Sequence, residues 1–147
     1  MRWQTTALRL LLLGLLLPTA AAGADDRAAL RAPLLRGDFQ AAAQPRPADA
    51  AALPPALADE ADYYRGLAAF ALQDYPTAIA TLGPVAEKHG AQPLGLRAAV
   101  VATLALSRNG DRDNACRYAG IVLPLTDKMA PIWRVWVEEA KRSSGCE

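Results

Sequence analysis

Gln73-Asp74-Tyr75-Pro76-Thr77-Ala78 is the stretch on which the fold turns, because the chain repeats its pattern twice. The first echo is Gly37-Asp38-Phe39-Gln40-Ala41-Ala42 and the second is Gly110-Asp111-Arg112-Asp113-Asn114-Ala115. Each has a turn residue, then an aspartate, then an alanine four positions further on. The aspartates stand 36 and 37 residues apart, and a period in that range marks stacked supersecondary units. Each part has a physical reason. Glycine supplies a left-handed turn after one helix. Aspartate caps the next helix through its carboxylate. Alanine lets two antiparallel helices approach closely.

Outward from these turns the chain reads as helical throughout. Alanine accounts for 33 of 147 residues, and only nine residues are aromatic. No run alternates Val, Ile, Thr and aromatics as a half-buried strand would. Pro54-Pro55 suits a helix start, followed by Tyr63, Leu67 and Phe70 at helical spacing, with Tyr64, Ala68 and Ala71 on an adjoining face. Gly90 and Asn109-Gly110 read as stops, and Pro93, Asp111 and Pro131 as starts. Gly83-Pro84 falls inside the second helix of its hairpin and predicts a kink or an early end. The expected organisation is an irregular first hairpin over 25–43, a Pro/Ala-rich loop over 44–55, hairpins over 56–90 and 93–126, and a capping helix over 128–142.

The chain resembles the tetratricopeptide repeat family. Tyr63 to Gly90 carries the resemblance best: Tyr64-Arg65-Gly66 resembles the first helix of that motif, with Gly66 as the small close-contact residue. Gln73-Asp74-Tyr75 is similar to the family's Gly-Asp-aromatic turn, Ala78 to its small residue in the second helix, and Leu82 to the larger apolar residue that follows. The next unit is looser, with Thr103 in place of Gly66 and Arg112 in place of the turn aromatic, and the unit before is shortened and holds Pro33. The resemblance implies an all-α array of short α-α hairpins. It further implies a concave groove that takes an extended or helical segment of a partner protein. The groove-facing residues would be Tyr63, Leu67, Phe70, Val100, Leu104 and Arg108, although the same side chains also suit the core. Trp133 and Trp136 lie three apart on the last helix and read either as core under the cap or as a docking edge.

The first 24 residues read as an export signal. Arg2 and Arg9 make a positive start, Leu10 to Leu17 an apolar core, and Ala20 to Ala24 a small-residue segment with cut sites after Ala22 or Ala24. The uncharged stretch from Leu10 to Ala24 is 15 residues, against about 20 for a membrane span. No cysteine follows that would take a lipid, and no arginine pair precedes the core. The bias of thirteen arginines over three lysines, with abundant alanine, points to a GC-rich bacterial genome. A periplasmic or secreted location is therefore expected. In an oxidising compartment Cys116 and Cys146 would join, tying the tail to the last hairpin, or else stay as a buried thiol and a free tail thiol.

Several function classes find no support. Loss of Arg2 and Arg9 leaves 14 positive and 15 negative side chains, which is no footprint for nucleic acid. No Gly-rich phosphate loop, nucleophile elbow or C-x-x-C pair is present. Asp111-x-Asp113-Asn114 starts like a calcium loop but lacks the glycine and the closing glutamate. Asp59, Glu60 and Asp62 suit the start of a helix, and His89 beside Gly90 reads as a solvated imidazole at a helix end. No metal, cofactor or catalytic residue is expected. The sequence points to an adaptor or assembly factor for an envelope complex, such as a secretion, pilus or redox-enzyme maturation system. The alternative is a stoichiometric subunit of such a complex.

Overall fold

The computed structural model describes residues 20–47 and 52–146, with side chains from Ala24 onward. The leader core and Arg2 and Arg9 lie outside the described residues. Among the described residues seven α-helices follow one another: α1 (Ala20–Leu35), α2 (Phe39–Ala43), α3 (Pro55–Ala71), α4 (Tyr75–His89), α5 (Pro93–Arg108), α6 (Arg112–Val122) and α7 (Pro131–Ser144). A 3-10 helix over Leu123–Lys128 joins α6 to α7. No strand occurs among the described residues, which are all-α.

Three turns share one hydrogen-bond pattern. Gly37, Gln73 and Gly110 adopt φ of 73°, 62° and 83°, the left-handed region. Each donates its N–H to the carbonyl three residues back, and the following aspartate N–H reaches five residues back, to Pro33, Ala69 and Leu106. The carboxylates of Asp38, Asp74 and Asp111 then accept from the N–H groups of Ala41, Thr77 and Asn114. One turn thus closes the orphan carbonyls of one helix and the orphan donors of the next.

Gln73 is the departure. A side chain in this conformation is strained by about 1–2 kcal/mol, and Gln73 is exposed. Gln73→Gly should therefore stabilise the fold by about 0.5–1 kcal/mol once glycine's greater unfolded-state entropy is set against the relieved strain. Urea denaturation checks this, and an unchanged or lower midpoint would contradict it.

The helices pack in sequence order. Each touches its neighbours in the chain, and α1, α3, α5 and α7 also touch in series, side by side. Helix α5 meets α3, α4, α6 and α7, and eleven of its sixteen residues are buried. Small residues make this density possible, as Ala98, Ala99, Ala102 and Ala105 leave no accessible surface. Gly66 does the same between α3 and α4: a Cβ there would stand 2.5 Å from Leu82 Cγ. The buried Thr103 returns its hydroxyl to Ala99 O at 2.8 Å, so no polar atom is stranded.

Helix α4 does not end at Gly83-Pro84 and runs on to His89. The missing Pro84 N–H would have served Ala80 O, and both residues are exposed, where water can take the bond. Gly83 has its own use. Tyr118 Oη approaches so closely that a Cβ would lie 2.8 Å away, and the same hydroxyl donates to Glu87 at 2.8 Å. The segment 44–47 and 52–54 is irregular, and Pro54 and Pro55 open α3.

Candidate functional site

The six residues assigned to a groove separate into three groups. Tyr63, Val100 and Leu104 are 3%, 1% and 0% exposed and belong to the central core. They have no surface to offer a partner: α5 is packed against α3, α4, α6 and α7, and Val137 and Ala140 of α7 belong to the same core. Leu67 and Phe70 are half-buried against that core. Only Arg108 is exposed, with its guanidinium 5.2 Å from the Phe70 ring centre. Tyr75 completes a small aromatic cluster, its ring centre 5.9 Å from that of Phe70 and tilted by 56°. Its position beside the Asp74 cap was visible in the sequence, but its pairing with Phe70 was not.

Trp133 and Trp136 point different ways. Trp133 is half-buried against the core, in line with Val137, Ala140 and Ser144 on the face that meets α5. Trp136 is 42% exposed and lies beside Ile132 at 65% and Val135 at 66%. These three form an apolar stripe at helical spacing on the outer side of α7. Charged groups border it: Glu139 pairs with Arg142 at 3.2 Å, while Arg134 donates to the carbonyls of Met129 and Asp127. Ile132 and Val135 carried no separate sequence signal, since their exposure depends on which face α7 turns to α5.

The Cys116 and Cys146 sulfurs are bonded, closing a separation of 30 residues. Arg112 Nη2 adds a hydrogen bond to Gly145 O at 3.0 Å. The end helix is thus fixed to α6 covalently and to α5 by packing. Among the described residues no helix is long and apolar enough to cross a membrane. The disulfide is compatible with an oxidising compartment.

A polar cluster sits where α3, α4 and the start of α5 meet. The Asp59 carboxylate accepts from Lys88 Nζ at 2.7 Å and from His89 Nε2 at 2.9 Å, and His89 Nδ1 lies 3.4 Å from Gln92 Oε1. His89 is therefore not the solvated imidazole expected at a helix end, as its side chain is 18% exposed and held against α3. The bond spans thirty positions of sequence and leaves no local trace. The Lys88 hydrogen bond, with that of His89, holds the Asp59 carboxyl below its ordinary range against an opposing effect of burial. A lowered folded-state pKa stabilises above the unfolded value and is lost as pH falls through the folded one. Acidification below about pH 4 should therefore weaken the fold, with Asp59→Asn showing a shallower decline. Denaturant midpoints at neutral and acid pH test this, and parallel declines would remove Asp59 from the account.

Comparison with protein-family models, with curated proteins and with solved structures finds no match. The functional reading therefore stands on the geometry of this chain.

Proposed function

We propose that the chain is a periplasmic or secreted helical-repeat protein of the tetratricopeptide type. It would act as an adaptor or assembly factor for an envelope complex in secretion, pilus formation or redox-enzyme maturation. Three congruent turns at nearly equal spacing and the side-by-side series α1, α3, α5 and α7 support the repeat reading. The leader pattern over residues 1–24 and the Cys116–Cys146 bond support the compartment.

The observation that carries the binding role is the stripe of Ile132, Val135 and Trp136. Large apolar side chains grouped on one exposed helix face are a common mark of an interaction surface. Their spacing suits an amphipathic helix laid alongside α7. The partner surface proposed here is thus the outer side of the end helix, with Arg108, Phe70 and Tyr75 as a smaller second patch.

The test replaces Val135 with a photo-crosslinking amino acid in the native host. One dominant protein adduct is expected, and it should be lost when Trp136→Ser is added. No adduct, or one indifferent to Trp136→Ser, would overturn the role of this surface. A stoichiometric subunit, the second reading, would differ in being degraded when the captured partner is deleted.

A further inference from the structure

A second feature lies on the inner side of α7. The first turn of α5, the 3-10 helix and the start of α7 enclose a half-open cavity of about 420 Å³. Sites for small organic ligands run from about 300 to 1,000 Å³. Leu96, Met129 and Trp133 give it an apolar and aromatic wall, and Arg97 and Lys128 add two cations. Arg97 Nε donates to Pro93 O at 3.1 Å. That bond anchors the guanidinium to the first turn of α5 and leaves its terminal nitrogens for another acceptor. The positive end of the α5 dipole adds to the same field.

Several cations elsewhere meet carboxylates directly. Arg27 meets Glu60, Lys88 meets Asp59, Arg117 meets Glu87 and Arg142 meets Glu139. No described carboxylate lines the cavity that holds Arg97 and Lys128. Two cations with no carboxylate in the cavity wall, beside a half-buried indole, suit an anion joined to an apolar body. The guanidinium and ammonium would take a carboxylate through charge-assisted hydrogen bonds. Trp133 would stack on a flat ring.

We infer that this cavity binds a small organic acid, one carboxylate on a flat apolar body, against Arg97, Lys128 and Trp133. The inference is independent of the docking stripe, since Trp133 and Trp136 occupy different faces of α7.

Calorimetric titration of the full chain with 1-naphthoate tests it, with 1-naphthamide and acetate as matched probes. Naphthoate should saturate. Naphthamide, which keeps the body and loses the charge, should bind at least about tenfold more weakly, and so should acetate, which keeps the charge and loses the body. Arg97→Gln with Lys128→Gln should weaken naphthoate at least about tenfold and leave naphthamide unchanged. Both substitutions are at exposed or half-exposed positions, and circular dichroism verifies the fold. Trp136→Ser, on the other face, should leave naphthoate binding intact. Absence of saturation up to about 1 mM, equal affinity for naphthamide, or indifference to the double substitution would each overturn the proposal.

Discussion

Leu104→Ala is expected to lower stability by about 2–5 kcal/mol, a large share of the roughly 5–15 kcal/mol that holds a domain of this kind folded. Leu104 has no accessible surface and lies in the C-terminal half of α5, a helix against which α3, α4, α6 and α7 all pack. Truncation removes apolar contact and leaves a cavity that rigid neighbours cannot close. Arg108→Ala, one turn further along the same helix, should change stability by no more than about 1 kcal/mol, since only an exposed cation–π contact is lost. The pair separates core from surface in one experiment. Equal, small effects for both would mean that Leu104 faces an open groove, and the packing of α7 over α5 would be wrong.

Removing the disulfide should have a comparable effect. Cys116→Ala with Cys146→Ala is expected to lose about 3–4 kcal/mol, the chain-entropy value for a loop of this length. The two cysteines are 30 positions apart, so the bond restrains much of the unfolded chain between α6 and the tail. A reductant should bring the native protein down to the level of the variant and leave the variant unmoved. The loss should also be uneven: α7 amides should exchange faster, while those in α5 keep more of their protection. A midpoint insensitive to reductant would show that the packing of Val137 and Ala140 already holds the tail.

What the sequence disclosed was local. Asp38, Asp74 and Asp111 announce themselves as caps because the bond each makes spans three residues. Alanine and leucine without strand alternation announce the all-helical class. What stayed hidden depends on which helix covers which. Pro84 ends a helix on paper, yet it survives because its side of α4 faces water. Val100 and Leu104 show the same periodicity whether they line a groove or a core, and only the packing of the other helices around α5 decides. Asp59 and His89 come together across the α3–α4 hairpin, a meeting that no motif records.

The two ends of the molecule are held by different forces. From Ala24 onward no residue of α1 or α2 is buried. The first hairpin rests on α3 through half-buried apolar side chains, the Arg27–Glu60 pair at 2.8 Å and a bond from Arg31 Nε to Tyr64 Oη at 2.6 Å. The opposite end is riveted by a covalent bond that ionic strength does not touch. Such a molecule has a mechanical polarity. Raised salt weakens the ionic part of the first attachment and a reductant severs the covalent part of the second, so each end answers to a different reagent.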